Sequence, residues 1–234
     1  MNRKPFIKYL PYILMAVTAV LITAAGIFYH QAFLRILPLY ISLVIGYLQS
    51  RLSRYASLLG GINSLLYAYV YFHYRLFGSM AYAILISCPI QILTFLRWRK
   101  NPWKGSTVFK RMTNKQRVLL AAGFAAVWSS LYLILSLTGS SYILFDNTVT
   151  LFGILISFLT MFAYVEYTFL MLPSSLINIG LYTAMLAANP EQSTFLIYSF
   201  YSFICQCFAF VNARKLYAEQ RKAAKQTVQN ASQA

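Results

Sequence analysis

Eight apolar runs of about 15–21 residues, each followed by a short polar or basic stretch, constrain this chain more than any other feature. Runs near 20 residues cross a hydrocarbon layer of about 30 Å as helices, because a helix satisfies its own backbone hydrogen bonds where water is absent. They fall at residues 10–29, 36–50, 60–74, 78–96, 118–138, 148–165, 174–188 and 194–212. Only 10% of the residues are charged, whereas a soluble domain uses about 25% to wet its surface. The expected fold class is therefore an all-α polytopic membrane protein with eight transmembrane helices.

The net charge of +16 invites a nucleic-acid reading, but the positions of the charges argue against it. With eight spans and both termini cytoplasmic, eighteen of the twenty Lys and Arg residues fall on one side, leaving Arg35 and Arg75 on the other. That asymmetry is the positive-inside pattern of a multi-pass membrane protein. The segment 97–117 has eight basic residues and no acid, and can also touch anionic membrane lipids. The first run follows Arg3, Lys4 and Lys8 and contains Thr23-Ala24-Ala25-Gly26, small residues suited to cleavage; its length favours a retained helix.

The chain repeats itself. A shift of 115 residues lays 36–100 on 151–215 without a gap, with identities that include Ser42, Asn63, Tyr67, Ser87 and Gln91. Polar residues inside apolar helices are rare and need partners, so their coincidence outweighs that of the apolar ones. The organisation expected is an extra N-terminal helix (1–35), a first triplet (36–100), a basic cytoplasmic loop (101–117), a linker helix (118–138), a second triplet (139–215) and a basic tail (216–234). An odd repeat followed by one linker helix gives a 1+3+1+3 arrangement of parallel triple-helix repeats, as in SWEET-like transporters.

Asn63 and Tyr67 are four residues apart and share a helix face, as do Asn178 and Tyr182. Amides and phenols there can hydrogen-bond and stack on a flat polar heterocycle or a ribose, or can simply lock helices together. Gln91 and Gln206 repeat in the last helix of each triplet. Glu166, one of four acids, is placed at the end of the run 148–165, as a proton carrier or a partner of Arg51 or Arg54. Pro38 is placed near the start of its helix, where it removes no hydrogen bond. Trp98 and Trp103 read as an aromatic belt, and His73 as an interfacial residue.

Cys88, Cys205 and Cys207 lack the spacing to chelate an ion, and no phosphate loop, His-Glu-x-x-His or Gly-x-Ser-x-Gly sequence occurs. The expectation is no metal, no cofactor, no nucleic acid and no enzymatic activity. The centres of the runs carry no acid or base, which points to passive uniport over ion coupling.

The run Gly61-Ile62-Asn63-Ser64-Leu65-Leu66-Tyr67-Ala68-Tyr69-Val70-Tyr71-Phe72, with the later helix from Gln91 to Trp98, resembles the first repeat of the bacterial Pnu-type vitamin transporters. Residues 146–215 are similar to the second. The resemblance implies a bacterial cell membrane, facilitated diffusion of nicotinamide riboside or a similar vitamin precursor, trapped inside by a separate cytosolic kinase, and a homotrimer. It implies substrate contacts at Asn63, Tyr67, Gln91, Glu166, Asn178 and Tyr182, to which the internal repeat adds Gln206 as the counterpart of Gln91. The second repeat departs from the family's Glu-x-Trp segment, reading Glu166-Tyr167-Thr168, so thiamine, riboflavin or a deoxynucleoside are alternatives. A non-transporting membrane scaffold is the alternative from another class.

Overall fold

The computed structural model describes residues 5–139 and 142–231; the expected basic positions Arg3 and Lys4 and part of the loop before Tyr142 lie outside them. The rods are α1 (Pro5–Phe28), α2 (Phe33–Ser50), α3 (Tyr55–His73), α4 (Phe77–Tyr82) running into α5 (Cys88–Lys100), α6 (Asn114–Thr138), α7 (Ile143–Met161), α8 (Tyr167–Leu186) and α9 (Ser193–Ala231). Seven of these are long and apolar enough to cross a membrane, counting α4–α5 as one. The eighth, α3, is long enough but diluted by Gly60, Gly61, Asn63, Ser64 and several tyrosines.

Between α4 and α5 the chain widens into a π-helical turn, Ala83–Ser87. Pro89 follows after Cys88, and its ring cannot tolerate the carbonyl four residues earlier, that of Leu85, in a tight α-turn; the wider turn relieves that clash. In the second copy the equivalent of Pro89 is Ile204, and α9 passes that level as uninterrupted α-helix.

The helices pack in two sets. In one, α2 lies on α3 and α3 on α5; in the other, α7 lies on α8 and α8 on α9. The sets meet along two seams, α2 against α9 and α5 against α7. Under the 115-residue shift α2 corresponds to α7 and α5 to α9, so each seam is the counterpart of the other. Helix α1 sits against α2 and α9, and α6 leans mainly on α7. Leu135 is the one α6 residue fully out of contact with the surroundings, and Leu137 is 88% exposed, as a lipid-facing rod requires.

Two apolar clusters cap the bundle interior. One gathers Ile36, Leu39, Val70, Leu76, Leu181, Met185 and Phe195. The other, toward the basic end, gathers Leu52, Trp98, Phe109, Leu159, Tyr167 and Ala213.

Several local expectations are corrected. Helix α2 begins at Phe33, so Pro38 lies inside it and not at its start. Helix α7 ends at Met161, and Ala163 adopts φ 57°, turning the chain; Glu166 therefore precedes α8 and does not close the earlier span. Trp98 is 3% exposed and no part of a belt: its indole N–H donates to Thr160 O at 2.9 Å, tying α5 to α7.

The basic segment after α5 is anchored. It forms a two-residue hairpin, Pro102–Trp103 with Ser106–Thr107, and Lys110 exchanges backbone hydrogen bonds with Ala163 and Val165 at 2.9 Å. Gln220, on the extension of α9, accepts from Phe109 N at 2.9 Å and donates to Thr107 O at 2.8 Å.

Candidate functional site

Polar side chains buried in apolar helices mark two cavities between the helix sets. The first, about 190 Å³, is lined by Tyr67 and Tyr71 of α3, by Ser175, Asn178 and Tyr182 of α8, and by Tyr198, Ser199, Ser202 and Gln206 of α9. Its aromatic wall is a near-parallel pair: the rings of Tyr67 and Tyr71 lie 5.6 Å apart at 23°. The second, about 130 Å³ and nearer the basic end, is lined by Gln49, Tyr82, Gln91, Thr94 and Trp98 of the first set and Ser157 and Thr160 of the second, among others. Among the described residues, no acidic or basic side chain lines either one.

Of the seven expected site residues, Tyr67, Asn178, Tyr182 and Gln206 meet in the first cavity and Gln91 lines the second. Asn63 and Glu166 line neither.

The two glutamines are held alike. Gln91 Nε2 donates to Ser87 Oγ at 2.7 Å, and Gln206 Nε2 to Ser202 Oγ at 3.1 Å, each one helical turn back. The carbonyl ends differ by one side chain. Ser175 donates its hydroxyl to Gln206 Oε1. The equivalent of Ser175 is Gly60, and a Cβ there would lie 1.9 Å from Gln91 Oε1.

The two asparagines are not held alike. Asn63 is 2% exposed, and its Nδ2 donates to Pro38 O at 3.0 Å and to Ser42 Oγ at 2.8 Å; Ser42 in turn donates to Tyr67 Oη at 3.0 Å. The corresponding acceptors in the second copy are Gly153 O and Ser157 Oγ. Tyr82 occupies both, donating to Gly153 O at 3.1 Å and sharing a hydrogen bond with Ser157 Oγ at 2.8 Å. The equivalent of Tyr82 is Ile197, which cannot compete for the partners of Asn63. Displaced, Asn178 donates to Ser174 O in its own helix at 3.0 Å and presents its amide to the cavity.

Gly153 makes room for this arrangement, since a Cβ on it would lie 2.8 Å from the Tyr82 ring. Gly153→Ala is expected to cost about 1–3 kcal/mol by overpacking, read as a lowered melting temperature of the detergent-solubilised protein. An unchanged melting temperature would show that Tyr82 is not held against Gly153.

Glu166 lies outside both cavities, its side chain only 19% exposed. Its Oε1 accepts from Arg117 Nη2 at 2.8 Å and from Met112 N at 3.1 Å, so its partner is Arg117 and not Arg51 or Arg54. At the opposite end, Arg35 holds both oxygens of Glu191 at 2.9–3.0 Å, and Tyr74 Oη donates to Glu191 at 3.0 Å. Asp146, fully buried, accepts from Gly78 N and Ser79 N at 3.0 Å and from Ser79 Oγ at 2.5 Å. That is a carboxylate on the N-terminus of α4, where unpaired N–H groups favour it. These contacts tie the two sets together at that end.

Sequence reasoning did not single out Tyr71, Tyr198, Ser175 and Ser202. Tyr71 lies one turn beyond Tyr67, and Ser202 is the repeat partner of Ser87, so both carried a periodic signal. Tyr198 corresponds to Ala83 and carried none.

Residues 32–215 match the family model described as nicotinamide mononucleotide transporter. A relative, the nicotinamide riboside transporter PnuC of Neisseria mucosa, is 28% identical over 176 residues, covering 72% of this chain. The match takes in 66% of that relative, so the chain spans just under two thirds of its length. The fold is similar to the crystal structure of the vitamin B3 transporter PnuC, with a TM-score of 0.79 over 94% of each chain at 21% identity.

Proposed function

This chain belongs to the nicotinamide mononucleotide transporter family, and from that premise we propose that it carries nicotinamide riboside or a similar vitamin precursor across the membrane by facilitated diffusion. The observation that carries the reading is the cavity between the helix sets, walled by stacked tyrosines and amides and lined by no charged side chain. Tyrosine faces attract a cationic pyridinium ring. The amides of Asn178 and Gln206 and the hydroxyls of Ser175 and Ser202 suit a carboxamide and ribose hydroxyls. A phosphate would find no Lys or Arg to offset its desolvation, which favours the riboside over the mononucleotide.

At about 190 Å³ the cavity is smaller than the ~300–1,000 Å³ typical of small-molecule sites. Solute entry therefore requires the two sets to separate at one end while the other stays closed, the alternating-access scheme. The matched seams and the matched Gln–Ser pairs support parallel 1+3+1+3 repeats related by an axis along the bundle, with the termini on the basic, cytoplasmic side. With no acid or base in either cavity, uniport fits better than ion coupling, and a cytosolic kinase would keep the product inside. The homotrimer belongs to the same reading by family likeness. Tyr67, Asn178, Tyr182 and Gln206 are assigned to solute contact, Gln91 to the path toward the basic end and Asn63 to holding α3 on α2.

Labelled nicotinamide riboside is expected to enter proteoliposomes and equilibrate without ATP or an ion gradient. Accumulation only under an imposed proton or sodium gradient would overturn uniport. Entry of thiamine, riboflavin or a deoxynucleoside in its place would reassign the solute, and no uptake of any of them would favour a scaffold.

A further inference from the structure

Helix α6 leaves a groove on each flank where it leans on α7. One, about 520 Å³, is lined by no charged side chain. The other, about 650 Å³, has walls of similar apolar chemistry but gathers Arg111, Arg117 and Arg214 among its lining residues, with Glu166 as the one acid. The two grooves are comparable in apolar lining and differ in charge.

The charges lie at one end. Arg111 precedes α6, Arg117 is in its first turn, Glu166 precedes α8, and Arg214 lies just beyond the apolar part of α9. From Arg117 to Phe124, and from Leu159 to Phe152, seven residues of helix carry the groove about 10 Å inward. There the rings of Phe124 and Phe152 meet edge to face, 5.2 Å apart, and close it. Glu166 neutralises Arg117 at 2.8 Å. Arg111 and Arg214 have no carboxylate partner among the described residues, and Arg214 lies over the Phe210 ring at 4.7 Å, which holds its guanidinium at the mouth. Arg117 Nε and Glu166 Oε2 are both buried without a hydrogen-bond partner, so this pair leaves one donor and one acceptor open and the net positive charge of the groove comes from Arg111 and Arg214.

An apolar slot about 10 Å deep under an uncompensated pair of guanidiniums matches an amphiphile with an anionic head. We propose that this groove binds one anionic phospholipid of the basic-side leaflet, its phosphate on Arg111 and Arg214 and an acyl chain along Leu120 and Leu155 toward Phe124. Apolar contact with a lipid tail gives no preference over bulk bilayer, so selectivity comes from the head group. The lipid fills the flank of α6, the helix that joins the two sets.

Native mass spectrometry of the full chain in detergent, titrated with phosphatidylglycerol or phosphatidylcholine, tests this. The wild-type chain is expected to retain one phosphatidylglycerol and no phosphatidylcholine. Arg111→Gln with Arg214→Gln should weaken retention about twenty-five-fold, a factor of about five for each arginine. Both positions are exposed, so folding is not at stake. Leu120→Trp, which plugs the slot and keeps all three arginines, should abolish retention. Equal retention of both lipids, or of phosphatidylglycerol by either variant, would overturn the proposal. So would a wild-type oligomer that carries no phospholipid and that Leu120→Trp dissociates, which would assign the groove to a second copy of the chain.

Discussion

Asn178→Ala is expected to lower the initial rate of nicotinamide riboside uptake about tenfold, the loss of roughly one hydrogen bond to the solute, while shifting the melting temperature little. Asn63→Ala is expected to do the reverse. The two residues are equivalent in the sequence repeat, but Asn63 spends its amide on Pro38 O and Ser42 Oγ, whereas Asn178 donates within its own helix and faces the cavity. Hydrogen bonds between membrane helices contribute about 0.6 kcal/mol on average and up to about 1.7. Losing two of them puts Asn63→Ala at about 1–2 kcal/mol, or a fall of about 4 °C in melting temperature. The measurements are proteoliposome uptake and thermal unfolding in detergent on both variants. If Asn63→Ala stops uptake without loss of stability while Asn178→Ala transports normally, the assignment of roles is reversed.

The largest loss of stability is expected from Asp146→Ala. Two backbone N–H groups and one hydroxyl donate to its carboxylate in a site with no access to water. Taking the acceptor away strands those donors, a cost of about 3–5 kcal/mol. The melting temperature should fall by about 10 °C or more. Asp146→Asn keeps one carbonyl oxygen as acceptor and should fall about half as far. A drop of less than about 2 °C for the alanine variant would show that α4 is held by its packing and not by this carboxylate.

Much of this arrangement was legible from the residue order. The helices were, because each apolar run must satisfy its own backbone in a membrane, a local requirement written in consecutive residues. The pairing of Gln91 with Ser87 and of Gln206 with Ser202 was within reach, since i, i+4 neighbours on a helix meet whatever surrounds them. Asn63 and Asn178 were placed together because the repeat treats them as equal. What separates them is Tyr82, a residue of another helix whose counterpart is Ile197. Its hydroxyl takes Gly153 O and Ser157 Oγ, and nothing within twenty residues of Asn178 announces that. Trp98 is a related case: at the end of an apolar run an indole looks interfacial, and only the approach of Thr160 from α7 turns it inward.

By itself, then, the sequence determined that the chain is a bundle of membrane helices with an internal repeat and uncharged polar residues on inner faces. Hydrophobic length, helical period and the cost of charge in lipid are properties of a segment alone. The tertiary structure decided which of two equivalent asparagines faces the cavity, that Glu166 pairs with Arg117 outside both cavities, and that three arginines converge on one flank of α6. Those outcomes depend on which donors and acceptors arrive from helices distant in the chain, and competition for partners is settled only when the helices pack.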